Sequence, residues 1–259
     1  MFFLYKQEIF KLLKKKSLWF CLLFIILQNI GVAILGNAYP KYINVPELFK
    51  YDFASLSFTV LILIAASSTI ISTEYEYNTI KNIVMQPYSR TMILISKWLT
   101  ILTYAIGIYL LSILMSLMNK FIFFNNSFSL TDRLNGKENM IWQDWLIVNG
   151  ANFITLWLIL SIVFLLASVM KKGAVAVIVG VVGYFAMNII GSMMFVLIER
   201  WEFLKWNPLN FLNYPGQLAN VGILSELTHL SNTQLLIGNL SYIVLFMGVG
   251  LYFFSKKEI

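Results

Sequence analysis

The stretch EYEYNTIKNIVMQPYSRTMILISKW, residues 74–98, joins two long apolar runs at 53–73 and 98–118. Each run has about 20 residues, the length that an α-helix needs to cross the hydrocarbon core of a bilayer. The stretch itself contains two acids, one proline and three basic residues. A polar, punctuated segment between two spans predicts a structured turn at the membrane surface.

The composition of the whole chain indicates a membrane protein. Apolar residues make up 59% and charged residues 12% of the 259 residues, against about 45–50% (glycine included) and about 25% in soluble domains. The net charge of +7 could indicate a nucleic-acid partner, but the charges cluster between apolar runs, as topology signals do. We therefore expect no nucleic acid as a partner. The single cysteine, Cys21, excludes an intrachain disulfide.

Six apolar runs are long enough to span a membrane. In lipid the backbone must satisfy its own hydrogen bonds, so these runs are predicted to be helices. The sequence predicts an all-α integral membrane protein with six transmembrane helices in a single domain over residues 1–259. The predicted spans are 18–38, 53–73, 98–118, 147–170, 174–198 and 235–254.

The distribution of basic residues predicts the orientation. Twelve lysines and arginines and four acids lie in the terminal segments and the even-numbered connections. The other connections hold seven basic residues and eight acids, on longer loops. Short segments rich in basic residues stay on the cytoplasmic side, so both termini are predicted to be cytoplasmic.

The first 17 residues are predicted to form an amphipathic helix in the headgroup plane. Its apolar side has helical spacing, and its lysines would lie near anionic lipid. It could serve as a topology anchor or as a lever that leads into the first span. The apolar positions are Phe2, Tyr5, Ile9, Leu12 and Leu13, and the polar ones are Lys6, Gln7, Lys11, Lys14 and Lys15.

The outer segment 199–234 is dense in aromatic residues. Trp201, Phe203, Trp206, Phe211 and Tyr214 are interleaved with prolines and a glycine. Aromatic residues at this density are typical of the membrane interface. The alternative is a partly re-entrant cap, which needs neighbouring protein to satisfy its broken backbone.

The predicted span cores contain polar residues but no ionisable ones. An ion-coupled carrier normally has ionisable groups there, so this class is disfavoured. Most of the neutral polar side chains are expected to form interhelical hydrogen bonds. Gln28, Asn29 and Asn188 are candidates to face a translocation path instead.

The sequence offers no catalytic constellation and no metal site. His229 is the only histidine, so a histidine-based triad or an HExxH motif cannot form within the chain. No GxxxxGK[ST] phosphate-binding loop is present. The chain is therefore not expected to be an enzyme, to hold a cofactor or metal, or to bind ATP by itself.

The local signals in 74–98 predict a short helix held between two spans. Glu74 and Glu76 follow the second span, where acids oppose the helix dipole and need basic partners; Lys81, Arg90 and Lys97 are the nearby ones. Asn78 is a good N-cap and Pro87 ends the helix. Ser89 can then cap the third span. A two-turn helix is unstable alone in water, so it must pack on lipid or on a partner.

This pattern resembles the ABC transporter permease family usually called type 2. Its members carry E-x-E-x-G-T-[IL]-K after the second span, then P-x-S-R and a lysine. Here Asn78 stands where glycine is common, and Asn also enters left-handed geometry readily. The resemblance implies a coupling helix at 78–86 that docks on a cytoplasmic ATP-binding cassette subunit. The implied coupling residues are Glu74, Glu76, Asn78, Thr79, Ile80, Lys81, Ile83, Val84, Pro87 and Arg90.

The resemblance also implies the function. We expect a permease subunit of an ATP-driven exporter in the bacterial plasma membrane, with a second permease copy or a related permease. ATP and Mg would bind the partner subunit. The size and the N-terminal sequence are similar to permeases for bacteriocin immunity or peptide-antibiotic resistance, which implies an amphipathic peptide, antibiotic or lipophilic cargo. The alternative is a membrane assembly or sensor component that transports nothing.

Overall fold

The backbone is helical throughout most of the chain. A computed structural model of the protein describes residues 1–76, 88–133, 139–170, 172–219 and 222–256. Within these ranges, the β-structure is one isolated bridge between Arg133 and Met140. The α-helices are α1 Phe2–Lys14, α2 Lys16–Ala38, α3 Val45–Lys50, α4 Ser55–Glu76, α5 Arg90–Phe123, α6 Ile141–Val169, α7 Gly173–Arg200, α8 Tyr214–Ala219, α9 Ile223–Thr228 and α10 Asn232–Lys256.

Six of these helices coincide with the six predicted spans. They are α2, α4, α5, α6, α7 and α10, and each is long and apolar enough to cross a bilayer. The chain is therefore an all-α, multi-pass membrane protein. The helix α5 begins eight residues before the predicted third span. The predicted cap explains this start, because the Ser89 hydroxyl accepts a hydrogen bond from the backbone N–H of Met92 at 3.3 Å.

The helices α4 and α6 form the centre of the bundle. About half of their residues are buried, against less than a quarter in α2, α7 and α10. The helix α10 packs along α6, and α7 packs along α4. At Gly180 of α7 a Cβ atom would lie 2.8 Å from Ile64 Cγ2, so this glycine allows close approach of the two helices. The outer sides of α2, α7 and α10 carry many exposed apolar side chains.

The N-terminal helix α1 packs against α5 through a different face from the predicted one. Leu4 and Glu8 are its buried residues, whereas Phe2 and Leu13 of the predicted apolar face are exposed. Pattern analysis treats a glutamate as a solvent-facing residue, but here it is buried with basic partners. The helix itself is confirmed, and its position in the headgroup plane stays a prediction.

Between α7 and α10, residues 201–219 and 222–231 form a folded region, which we call the cap. Side-chain amides satisfy its irregular backbone: Asn210 Nδ2 donates to the carbonyl of Thr228, and Gln217 Nε2 donates to that of Leu230, both at 2.9 Å. Such pairing is what a buried non-helical backbone requires.

The aromatic residues of the cap fall into two groups. Trp201, Phe203 and Trp206 are exposed, whereas Phe211 and Tyr214 are buried. Phe211 lies against Gly238 of α10, so closely that a Cβ atom at position 238 would overlap its ring. The Phe211 ring thus helps to anchor the cap on α10, together with hydrogen bonds from Asn239 and Tyr242 of α10 to cap carbonyls. The exposed aromatics are available for an interface.

We expect Gly238→Ala to destabilise the protein by about 1–3 kcal/mol, because the added methyl group overpacks the Phe211 ring. The measurement is the free energy of unfolding in mild detergent. Gly248→Ala is the matched control, since a Cβ atom there would have nothing within 4 Å. Combining Gly238→Ala with Phe211→Leu should recover part of the loss; equal effects of the two glycine substitutions would contradict this contact.

Candidate functional site

A cluster of four charged side chains joins α1 to the two helices that flank the stretch 77–87. Lys97 of α5 lies 2.6 Å from Glu74 Oε1 of α4 and 3.0 Å from Glu8 Oε2 of α1, measured from its Nζ. The same ammonium group donates to the backbone carbonyl of Ile70 at 3.1 Å. Lys97 is fully buried and both glutamates are more than 90% buried.

Lys11 completes the cluster from the more exposed side. Its Nζ lies 2.6 Å from Glu8 Oε1 and 3.3 Å from Glu74 Oε1. Two carboxylates therefore face two ammonium groups in alternation, and the charges balance. We call Glu8, Lys11, Glu74 and Lys97 the ionic cluster.

The pKa values of the two cluster residues in α1 are shifted in the direction that favours their charged forms. Burial alone would raise the pKa of Glu8, but the ammonium groups of Lys97 and Lys11 outweigh it, and the pKa lies below its usual value. Burial alone would lower the pKa of Lys11, but Glu8 and Glu74 outweigh it and raise that pKa. Both shifts follow from opposite charges close to the side chain.

Glu76 points to a different helix. Its Oε2 accepts a hydrogen bond of 3.0 Å from the backbone N–H of Gly173, the first residue of α7. A carboxylate at a helix N-terminus satisfies an otherwise unpaired N–H and complements the helix dipole. The two acids at the end of α4 thus bind two separate neighbours: Glu74 binds α1 and α5, and Glu76 binds α7.

The predicted coupling residues are only partly described by the structure. Asn78, Thr79, Ile80, Lys81, Ile83, Val84 and Pro87 lie outside the described residues, as does the whole predicted helix 78–86. Arg90, in the first turn of α5, donates from Nη1 to the carbonyl of Ser255 in α10 at 2.9 Å. The described residues on the two sides of 77–87 therefore contact α1, α5, α7 and α10.

Sequence reasoning found one lysine of the ionic cluster and missed the partners in α1. Lys97 was among the predicted basic partners of Glu74. The sequence predicts a helix in the headgroup plane over residues 1–17, with Lys11 on its polar side near anionic lipid and no role for Glu8. One signal was present, because Glu8 is the only acid among the first 46 residues and lies three residues from Lys11.

Two of the three predicted path residues lie together at the other end of α4. Asn29 is buried, and its Nδ2 donates to Asp52 O at 3.0 Å and to Ser55 Oγ at 2.7 Å. Gln28 Nε2 donates to Phe53 O at 2.7 Å. These two amides bind the backbone just before α4. Their hydrogen bonds therefore give Gln28 and Asn29 a structural role.

The backbone just before α4 has an unusual geometry, which explains why these hydrogen bonds are needed. Asp52, Phe53 and Ala54 have φ values of 49°, 50° and 65°, a left-handed geometry that is costly for residues other than glycine. Asn119 Nδ2 of α5 donates to Asn29 Oδ1 at 2.6 Å and extends the network. Asn188 is exposed on α7, where its amide donates to the carbonyl of Tyr184 in the same helix.

Comparison with known proteins gives the family. The family model described as "ABC-2 family transporter protein" matches residues 4–199. This chain belongs to the ABC-2 transporter family. It is also similar to the uncharacterized membrane protein YdbK of Bacillus subtilis (strain 168), with 23% identity over 197 residues that cover 76% of each chain.

Membership in the ABC-2 family defines the role of the chain in general terms. It is the membrane component of a transporter, a multi-pass protein of the plasma membrane, and membership implies a partnership with an ATP-binding cassette subunit. The matched region contains the whole ionic cluster and α2 to α7. It ends before the cap and α10.

For this ABC-2 protein we expect Lys97→Met to reduce stability by about 3–5 kcal/mol, because two buried carboxylates lose their shared partner. Lys11→Met should cost much less, about 0–1 kcal/mol, since Lys11 is half exposed. The measurement is unfolding by denaturant in mild detergent. Adding Glu8→Gln and Glu74→Gln to Lys97→Met should restore most of the loss. Equal costs for the two lysine substitutions would show that Lys97 is not the centre of the cluster.

We expect the contribution of Glu8 to depend on pH. Its pKa in the folded protein is lowered from the ordinary value of 4.5, so its stabilising effect is complete above pH 4.5 and is lost as the pH falls through the lowered pKa. The difference in unfolding temperature between the natural protein and Glu8→Gln should be largest near pH 7 and shrink below pH 4.5. A difference that stays constant down to pH 3 would contradict an ionised Glu8.

Proposed function

We propose that this chain is the permease subunit of an ATP-driven exporter that moves an amphipathic peptide, an antibiotic or a lipophilic compound out of the cell or bilayer. The observation that carries the proposal is the ionic cluster. Two of its members, Glu74 and Lys97, lie on the two sides of the predicted coupling segment. A separate ATP-binding cassette subunit would bind ATP and Mg and dock on residues 78–86.

The contacts of the cluster support a coupling role. A force on the segment 78–86 reaches Glu74 and Glu76 at one end and Arg90 and Lys97 at the other. Through their contacts it reaches α1, α5, α7 and α10 together. Buried ion pairs tolerate little change in geometry, because separating them leaves uncompensated charge. The helix ends would therefore move as a unit, as rigid-body switching requires.

The surface of the bundle supports an apolar or amphipathic cargo and a paired permease. The described parts of α2, α7 and α10 expose apolar side chains along most of their length. Exposed ionisable groups on these helices lie near their ends. A path between two permease copies lined by such faces would suit a cargo with a large apolar surface. Of the predicted path residues Gln28, Asn29 and Asn188, Asn29 is fully buried, whereas Asn188 is exposed and Gln28 partly exposed. The latter two are the candidates for polar contacts with the cargo.

The carboxylates near the predicted coupling segment are engaged in contacts between helices. Within the described ranges no group of three His, Cys, Asp or Glu side chains is placed to hold a metal ion. The carboxylates of the ionic cluster are engaged by lysines. The cluster thus stabilises helix positions and presents no acid or base to a substrate.

We expect Ile83→Asp with Val84→Asp to abolish co-purification of the ATP-binding cassette subunit and the ATPase activity of the complex. Two buried charges in an apolar contact would prevent docking. The measurements are pull-down in mild detergent and phosphate release. Phe203→Asp, at an exposed apolar position in the cap, is the control and should keep both. Unchanged assembly and ATPase activity in the double variant would refute the coupling role. An intact complex that hydrolyses ATP but moves no peptide or lipophilic cargo in proteoliposomes would favour the non-transporting alternative.

A further inference from the structure

A cleft of about 610 Å³ runs between α2 and α4 beside the start of α2. Its walls are apolar side chains, chiefly Phe24, Phe58, Leu61 and Ala65. Phe24 and Phe58 are partly exposed, so the cleft opens toward the surroundings of the bundle. Its volume falls within the range of small-molecule sites.

The length of the cleft matches one leaflet of a bilayer. Along α4 it extends from Phe58 to Thr69, which at 1.5 Å per residue is about 16 Å. Half of a hydrocarbon core of about 30 Å is about 15 Å. An acyl chain that lies along this wall would therefore reach from the membrane surface to the bilayer midplane.

The charged group of the cleft lies at one end. Lys15 and Ser17 line it where α1 meets α2, near the membrane surface. The ammonium group of Lys15 makes no hydrogen bond or ion pair with any described residue. The nearby carboxylates of Glu8 and Glu74 are engaged by Lys11 and Lys97.

The carboxylates of Glu8 and Glu74 compensate the charge on Lys15 only in part. Partial desolvation, followed by repulsion from Lys97, lowers the pKa of Lys15 below its ordinary value. An anion at the mouth of the cleft would offset this repulsion. A phospholipid offers such an anion on the same molecule as an acyl chain, which fits the apolar wall.

We propose that the α2–α4 cleft binds an anionic phospholipid of the adjoining leaflet, with one acyl chain along Phe58–Thr69 and its phosphate against Lys15 and Ser17. The bound lipid places a negative charge beside the ionic cluster and stabilises the α1–α2 junction. This inference does not depend on the cargo or on the docking of an ATPase.

The binding test uses the full-length protein released from nanodiscs that contain phosphatidylcholine with or without phosphatidylglycerol, and native mass spectrometry counts the lipids retained. We expect one phosphatidylglycerol to be retained preferentially. Lys15→Ala should weaken this retention about fivefold, the effect of losing one lysine near a membrane surface. Lys16→Ala is the matched control, because it removes the next lysine, which does not line the cleft. Ala65→Phe, which fills the wall, should also reduce retention.

The location test uses phosphatidylglycerol with a photoreactive group on its acyl chain. Crosslinks should map to the cleft, at Phe24, Phe58 or Leu61, and should disappear in Ala65→Phe. Inorganic phosphate should not compete, because it lacks the acyl chain. Equal retention in Lys15→Ala and Lys16→Ala, equal retention of the two lipids, competition by inorganic phosphate, or crosslinks spread evenly over the bundle would each overturn the proposal. Unfolding temperatures of the variants without lipid identify any loss that comes from misfolding.

Discussion

The buried ammonium group of Lys97 is the constraint around which the surface end of the bundle is built. A lysine so fully removed from water is stable only with close opposite charges and further hydrogen bonds, and Glu74, Glu8 and the carbonyl of Ile70 supply them. Glu8 lies in α1, and both Glu74 and Ile70 lie in α4. The contacts of Lys97 therefore fix the relative positions of α1, α4 and α5. The carbonyl contact also places a cation at the last turns of α4, where it complements the helix dipole that Glu74 and Glu76 oppose.

The central helix α4 is held by polar contacts at both ends and by apolar packing between them. At its start three left-handed residues cost on the order of 1–3 kcal/mol each, and the amides of Gln28 and Asn29 bind the carbonyls and the hydroxyl that this turn presents. At its end the carboxylates of Glu74 and Glu76 bind α5 and α7. The polar contacts at the two ends fix the position of α4 along the bundle axis.

Local patterns were enough to predict the spans and the cap of α5, but the long-range polar contacts were not predictable from them. The six spans follow from the length of the apolar runs, and Ser89 follows from a capping rule that needs three residues. The pairing of Glu8 with Lys97 depends on how α1 packs, and their separation of 89 residues leaves no periodic signal. The hydrogen bonds of Gln28 and Asn29 depend on a left-handed turn at Asp52–Ala54. This turn contains no glycine, so the sequence does not predict it. Phe211 and Trp201 are both aromatic residues of one segment, so the sequence pattern does not distinguish them. In the structure Phe211 is a buried anchor of the cap, whereas Trp201 is exposed.

The order in which the charged residues are synthesised has a consequence for how the chain enters the membrane. Glu8 and Lys11 leave the ribosome first, Glu74 follows with the second span, and Lys97 arrives only with the third. Until then Glu74, at the boundary of the second span, lacks the closer and more buried of its two ammonium partners. A charged side chain near hydrocarbon is expensive on its own, so the second and third spans are best released into lipid as a helical hairpin. The ion pair between Glu74 and Lys97, which stabilises the folded bundle, thus also favours insertion of the second and third spans as a pair.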